Sequence, residues 1–225
     1  MTTLTVKAFG GLFFLVIVLG ITLFLPAKTF QYWQAWVYIA VFTIAAGAIT
    51  TYLMKKDTAL LQRRVNGGPP GEKQVVQKII QSIAQLAFLV IFLVPAFDFR
   101  FKWSSVPVFA VILGDILTVV GFYIVFLVFK ENTFASATIE VAAEQKVIST
   151  GPYSLVRHPM YSGALLLLIG TPVALGSWWG VLAFAPIGSV ILWRLLDEEK
   201  FLKTNLPGYT EYCSKVRFRL IPGIF

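Results

Sequence analysis

Long apolar runs separated by short polar segments dominate the hydrophobic pattern of this chain. A helix needs roughly 20 apolar residues to cross the hydrocarbon core of a bilayer. Five or six runs meet this requirement, and they cover residues 8–25, 31–54, 75–97, 107–129, 159–175 and 178–196. The pattern predicts an all-α fold, a polytopic bundle of transmembrane helices with six spans and a polar C-terminal tail.

The last two runs are predicted to form a tight hairpin. The run over residues 159–175 is short and contains Gly170 and Pro172, and the turn sequence "GSWWG" at residues 176–180 separates it from the final run. Glycine and proline at these positions favour a turn that reverses the direction of the chain. At the other end of the chain, no small-x-small cleavage site follows the first run, so we expect it to be a retained span rather than a signal peptide.

Two polar connections differ in character. Residues 55–74 contain "NGGPPGE" and have the composition of a solvated linker. Residues 130–158 mix polar and apolar positions, with alternation in "ATIEV" and "KVIST", and we expect them to fold against the membrane face. This contrast suggests a division into two regions. Residues 1–129 contain the first four spans, and residues 130–225 contain the candidate catalytic region.

The distribution of basic residues predicts the orientation. In a six-span arrangement, 16 of the 19 Lys and Arg residues fall on the side of both termini, and only Lys28, Arg100 and Lys102 fall on the other side. By the positive-inside rule, both termini and the longer loops are cytoplasmic. The tryptophans at positions 33, 103, 178 and 179 then form an aromatic belt near the outer interface.

Composition supports a membrane protein and excludes several other classes. The chain is 57% hydrophobic and 13% charged, with a mean hydropathy of +0.78. Its net charge of +8 comes from short inter-span segments rather than from a basic face, so we expect membrane lipids and no nucleic acid as partners. A single Cys213 and a single histidine leave no disulfide framework and no conventional metal site.

The histidine lies in the densest polar cluster of the chain, "GPYSLVRHPMYSG" at residues 151–163. Pro159 suits the first turn of a helix, which places His158 at the N-cap. The free N–H groups and positive dipole end of such a helix attract an anion, and Arg157 adds a guanidinium that can bind a carboxylate or phosphate. Tyr161 follows on the same face, and Gly163 permits close approach one turn further on.

The predicted hairpin brings a second polar cluster to the same place. The end of the final run returns to the membrane face where the preceding run began, so Glu198 and Glu199 are expected to lie near Arg157, His158 and Tyr161. We expect the helix to continue to about residue 205, before Pro207 and Gly208. The polar tail beyond it is expected to fold back over this site. Asp115, in the fourth run, is expected to be satisfied inside the bundle.

Taken together, these segments resemble the isoprenylcysteine carboxyl methyltransferase family and the related phospholipid methyltransferases. The resemblance covers roughly residues 130–225 and includes "ENTFASATIEV", the RHPxYxG pattern, "DEEKFL" and "LPGYTEYCSKVRFRLIPG". It implies a membrane enzyme that binds S-adenosylmethionine on the cytoplasmic side and methylates a lipidic or amphiphilic acceptor. The implied cofactor contacts are His158, Tyr161, Gly163, Glu198, Glu199 and Tyr209, and the implied catalytic or substrate residues are Arg157, Tyr212 and Arg217.

The acceptor stays open at this point. A carboxylate such as that of isoprenylcysteine needs no base, whereas a phospholipid amine must lose a proton. A membrane reductase that uses NADPH is a second possibility, although its pyrophosphate favours basic residues over a glutamate pair. A small transporter or lipid-binding protein is a third, but the first four runs contain few polar residues to line a path.

Overall fold

The structure is a computed structural model and describes residues 3–67, 72, 75–138, 141 and 145–225. Within these residues the chain is helical and has no strand, so the predicted all-α fold is confirmed. The helices are α1 (Thr3–Ala27), α2 (Trp33–Lys56), α3 (Thr58–Val65), α4 (Val75–Phe101), α5 (Val108–Glu131), α6 (Pro159–Ala174), α7 (Trp178–Leu182), α8 (Phe184–Asn205) and α9 (Tyr209–Lys215).

Five helical segments are long and apolar enough to cross a membrane: α1, α2, α4, α5 and the combined α7 and α8. The apolar helix α6 is shorter, at 16 residues. The described residues therefore form a polytopic helix bundle, and the fifth predicted span, residues 159–175, corresponds to this short helix.

Glycines bring α5 and α6 into close antiparallel contact. A Cβ added to Gly121 would lie 2.6 Å from the carbonyl oxygen of Gly163, and one added to Gly170 would lie 2.8 Å from the carbonyl oxygen of Gly114. Small residues allow helix backbones in a membrane to approach in this way. Because the two contacts are seven residues apart on each helix, they fix α6 along α5 and so position the beginning of α6.

A buried polar cluster ties the helices together at the end of the bundle where α6 finishes. Asp98 is 1% exposed and accepts hydrogen bonds from the Ser104 N–H (2.7 Å), the Ser104 hydroxyl (2.6 Å) and the Ser177 hydroxyl. The Tyr32 hydroxyl donates to the carbonyl of Leu175 at 2.5 Å. The same end carries the four predicted belt tryptophans, all of them exposed.

The structure corrects the prediction of a solvated linker over residues 55–74. Residues 58–65 form α3, whose N-cap Asp57 accepts the N–H of Leu60 at 2.8 Å. Leu60 and Leu61 are buried, and their burial explains why this segment folds onto the bundle. Residues 68–71, 73 and 74 of the linker lie outside the described residues.

Two further differences concern the membrane helices. The predicted single run over residues 178–196 is broken at Ala183 into α7 and α8. Pro186 has no N–H with which to bond the carbonyl of Leu182, so a continuous helix would lose that hydrogen bond. Asp115, expected to be satisfied, has a buried Oδ1 without a hydrogen-bond partner among the described residues.

Candidate active site

A cavity lies where the beginning of α6 meets α8, α9 and the connection between α5 and α6. Its enclosed volume is about 120 Å³. The walls combine apolar residues with a polar and aromatic set that contains most of the predicted site residues. The polar and aromatic members include Tyr153, Arg157, His158, Tyr161, Arg194, Glu198, Tyr209 and Tyr212, and the apolar members include Phe134, Ala135, Val147, Ile148, Leu202 and Leu206.

The beginning of α6 is built as the sequence predicts. The helix starts at Pro159 with His158 as its N-cap residue. Both the cap and the residue before it are held by the C-terminal tail, since the Arg157 N–H donates to the Phe218 carbonyl and the His158 N–H to the Arg219 carbonyl, each at 2.9 Å. The first-turn N–H groups of a helix have no intrahelical acceptor, so the positive end of α6 borders the cavity.

His158 is buried and uncharged at neutral pH. Its side chain is 5% exposed, and Nε2 lies 3.4 Å from the Tyr209 hydroxyl oxygen. Burial lowers the pKa of His158 to about 4, with Glu199 opposing this shift and the cations Arg157 and Arg219 adding to it. The imidazole therefore acts as a neutral hydrogen-bonding group in the cavity wall rather than as a cation.

The two adjacent glutamates take different positions. Glu198 lines the cavity and accepts the Tyr161 hydroxyl at 2.5 Å. Glu199 lies outside the cavity lining, is 3% exposed, and sits between two arginines, with Arg157 Nε 3.0 Å from Oε1 and Arg219 Nε 2.8 Å from Oε2. The predicted proximity of both glutamates to the beginning of α6 is confirmed, but only Glu198 faces the cavity.

The tail folds back as predicted, through α9. The Tyr212 hydroxyl donates to the Tyr153 carbonyl at 2.6 Å, and burial raises the pKa of both Tyr209 and Tyr212. Both phenols therefore remain protonated at neutral pH and can donate hydrogen bonds. They join the connection that precedes α6 to the tail that follows α8.

Besides Glu199, two predicted site residues lie away from the cavity. Arg217 is exposed and is absent from the lining, because the tail segment that pairs with the beginning of α6 starts at the next residue. Arg219, which sequence reasoning treated only as a basic tail residue, makes the contact with Glu199 instead. Gly163 is also absent from the lining, and its open side faces the backbone of Gly121 on α5.

Sequence reasoning missed a second arginine at the cavity. Arg194 lines the cavity and donates to Glu72 (2.9 Å), to Gln77 (2.8 Å) and to the carbonyl of Ala137 (3.1 Å). It therefore joins α8 to the residues around the beginning of α4 and to the cavity wall. Gln77 is fully buried. A polar residue within the apolar run of α4 is the feature of the sequence that could have indicated this network.

Comparisons with known proteins find similarity in the same region of the chain. Residues 109–207 match the family model described as phospholipid methyltransferase. The chain is 28% identical over 146 residues to protein-S-isoprenylcysteine O-methyltransferase B from Arabidopsis thaliana, covering 61% of this chain and 66% of that protein. It is 37% identical over 79 residues to a probable protein-S-isoprenylcysteine O-methyltransferase from Oryza sativa subsp. indica, covering 32% and 39%.

A further relative has a different name. A Delta(14)-sterol reductase from Mus musculus is 26% identical over 130 residues, which cover 49% of this chain and 30% of the reductase. The chain spans between 39% and 66% of the length of the two methyltransferases described above. These matches confirm the resemblance to the isoprenylcysteine carboxyl methyltransferase and phospholipid methyltransferase family, whose members use S-adenosylmethionine in general.

Proposed function

We propose that this chain is a membrane-embedded methyltransferase that uses S-adenosylmethionine and methylates a lipidic or amphiphilic acceptor. The observation that carries the proposal is the composition of the cavity. A helix N-terminus, an inward-facing carboxylate and an aromatic and apolar wall converge there, within the part of the chain that matches the methyltransferase family apart from Tyr209 and Tyr212.

The residues present fit the three parts of S-adenosylmethionine. The beginning of α6 suits the carboxylate, because its free N–H groups and dipole favour an anion. Glu198 suits the ammonium group or the ribose hydroxyls, since it accepts hydrogen bonds. Leu202, Leu206 and Tyr209 supply an apolar and aromatic wall for adenine. The enclosed volume of about 120 Å³ is below the roughly 300 Å³ of small ligand sites, so the cofactor extends beyond the enclosed part.

The side chains favour an acceptor that is already anionic. When bound, S-adenosylmethionine supplies an electrophilic methyl group, which a carboxylate oxygen attacks as the S–C bond breaks and its electron pair stays on sulfur. No proton needs to move in that reaction. With its pKa lowered to about 4, His158 is a weak base, and a carboxylate acceptor does not require it. The carboxylate of isoprenylcysteine, the group named for the plant relatives, meets this requirement.

Two other activities each have one observation in their favour. The name of the family model favours methylation of a phospholipid amine, in which the acceptor proton would pass to His158 or Glu198. The match to the sterol reductase favours an NADPH-dependent reaction. Against the reductase, both cavity arginines already have a carboxylate within 3.0 Å, Arg157 with Glu199 and Arg194 with Glu72, so each charge is partly compensated and less available to a pyrophosphate.

We also propose that the cavity and both termini face the cytoplasm. The support is the distribution of 16 basic residues on that side against 3 on the other. The division at residue 129 is proposed on similar grounds, since the residues that line the cavity lie between positions 132 and 212. A cysteine introduced at Lys102 is expected to react with an impermeant reagent from outside intact cells, and native Cys213 is not.

The decisive experiment is calorimetric titration of the purified protein with S-adenosylhomocysteine and with NADPH. We expect binding of the first and not of the second. Glu198→Gln should weaken that binding at least about tenfold, or 1.4 kcal/mol, through loss of a charge-assisted contact. Glu211→Gln is the matched control, because Glu211 is exposed and forms an ion pair with the exposed Lys215.

Binding of NADPH alone would replace the proposal with the reductase. If the folded protein binds neither nucleotide, the methyltransferase assignment is wrong. The acceptor is tested separately with S-adenosylmethionine carrying a labelled methyl group. Labelling of a short farnesylated cysteine, but not of phosphatidylethanolamine, is expected.

A further inference from the structure

A second cavity lies at the opposite end of the bundle from the candidate active site. Its volume is about 410 Å³, within the range of roughly 300–1,000 Å³ that is typical of ligand sites. It is bordered by the turn between α1 and α2, the connection between α4 and α5, and the turn that ends α6. Neither the family match nor the candidate active site accounts for it.

The rim of this cavity is cationic. Only three basic residues fall at this end of the bundle, and two of them, Arg100 and Lys102, line the cavity. Both are exposed and form no ion pair within the described part of the chain; Arg100 only lies over the ring of Phe101, at 4.9 Å. The carboxylate of Asp98 faces inward, and both of its oxygens already accept hydrogen bonds from serine groups. An anion at the rim would therefore meet two cations that lack a protein partner.

A residue that lines the cavity carries a buried polar atom without a partner in the described part of the chain. Gln34 lines the cavity, and its Oε1 is buried with no hydrogen-bond partner among the described residues. A buried acceptor left in this state destabilises the folded protein. If the Gln34 amide turns toward the cavity, a ligand that also carries an N–H or O–H group satisfies this oxygen while its anionic group stays at the rim.

The cavity opens at the depth of lipid headgroups. The exposed Trp33 directly follows the first of the turns that border the cavity, Trp103 lies in the connection between α4 and α5, and Trp178 follows the turn that ends α6. Tryptophans mark the interface between hydrocarbon and water. We propose that the cavity binds a phospholipid headgroup, with the phosphate at Arg100 and Lys102 and a hydrogen-bond donor at Gln34. Ethanolamine and glycerol headgroups have that donor, whereas choline has none.

The proposal is tested by lipid-dependent thermal unfolding of the delipidated protein in detergent. The probes are dioctanoyl phosphatidylethanolamine, phosphatidylglycerol and phosphatidylcholine, together with inorganic phosphate. A ligand that binds the folded state raises the unfolding temperature. We expect the ethanolamine and glycerol lipids to act at concentrations at least about tenfold lower than the choline lipid, which corresponds to one hydrogen-bond contribution of about 1.4 kcal/mol.

Two variants identify the site. Arg100→Gln combined with Lys102→Gln should raise the half-maximal concentration of all three lipids at least about tenfold, since two charged contacts are lost. Gln34→Leu should abolish only the preference over choline. Lys55→Gln combined with Lys56→Gln removes the same charge from exposed positions at the other end and should change neither.

The selectivity of the unaltered protein is itself a test, independent of how any variant folds. An equal response to choline and ethanolamine lipids would overturn the proposal, and so would a response to inorganic phosphate as strong as that to the lipids. Retention of the full response in the Arg100 and Lys102 double variant would also overturn it. Failure of the methyltransferase proposal would remain distinguishable from failure of this one, because the Arg100 and Lys102 double variant separates lipid bound at this cavity from an ethanolamine lipid bound as acceptor in the candidate active site.

Discussion

Replacing Arg219 with alanine tests whether the C-terminal tail positions the candidate site. The change removes the contact of 2.8 Å to Oε2 of Glu199 and leaves Arg157, at 3.0 Å from Oε1, as the remaining arginine partner. It also releases the residue whose carbonyl accepts the N–H of His158. We therefore expect both a less stable protein and weaker binding of S-adenosylhomocysteine.

The magnitude follows from the exposure of the two partners. Breaking a fully buried ion pair costs about 3–5 kcal/mol, and breaking an exposed one costs at most about 1 kcal/mol. The side chain of Glu199 is 4% exposed and that of Arg219 is 30% exposed, so we expect a loss of about 2 kcal/mol. For a chain of this size this lowers the unfolding temperature by about 4–8 °C. Affinity for S-adenosylhomocysteine should fall about tenfold, or 1.4 kcal/mol.

Arg217→Ala is the matched control, since it removes the same group from an exposed position two residues away. It should change stability by less than about 0.5 kcal/mol. A second readout separates positioning from general destabilisation. Arg219 lowers the pKa of His158, so its removal should raise that pKa, as measured from the pH dependence of unfolding, and Arg219→Lys should reverse the rise. Equal behaviour of the Arg217 and Arg219 variants would refute this reasoning.

Three other predictions follow from the described geometry. The pKa of His158 falls from 6.5 to about 4 on folding, so between these pH values the unfolded chain binds one proton more than the folded protein. The free energy of unfolding should therefore decrease by about 3 kcal/mol as the pH falls through this window. Thermal unfolding of His158→Gln should lack this pH dependence. Gly163→Ala should lower the unfolding temperature, because its Cβ would lie 2.8 Å from a carbonyl oxygen of α5, whereas Gly20→Ala, with nothing within 4 Å, should not. Asp57→Ala removes the N-cap hydrogen bond to the N–H of Leu60 and should destabilise α3 by about 1 kcal/mol in the same assay. An unchanged unfolding temperature would contradict the capping role.

The sequence predicts those features of the site that depend on lengths and on local chemistry. Pro159 is favoured in the first turn of a helix, where its missing N–H is not needed, so it indicates where α6 begins. The length of a span and the turn at residues 176–180 then determine that α8 returns to the same membrane face. These two constraints are sufficient to predict that Tyr161 and Glu198 meet across 37 positions of the sequence.

The sequence does not predict which side chains of a returning helix face inward. Glu198 and Glu199 are neighbours, yet successive residues of an α-helix point about 100° apart, and only packing sets the rotation of α8. The same limit applies to the tail, where the backbone pairing of residues 218 and 219 decides that Arg219 and not Arg217 meets Glu199. Helix α3 did leave a local signal, an aspartate cap three residues before the apolar pair Leu60 and Leu61.

The pairing of charges changes how an anionic group would be held in the cavity. From the sequence, Arg157 is the natural partner for a ligand carboxylate, but in the structure Glu199 already lies 3.0 Å from its Nε. With His158 neutral and Arg194 bound to Glu72, each of these two cavity arginines already has a carboxylate partner. The N-terminus of α6 is then the donor best placed for an anion, and Glu198 is a cavity carboxylate that has no arginine nitrogen within 4.0 Å in the described part of the chain. Ligand selection therefore depends on the rotation of α8 about its axis. This rotation directs Glu198 toward the cavity and Glu199 toward Arg219 of the tail.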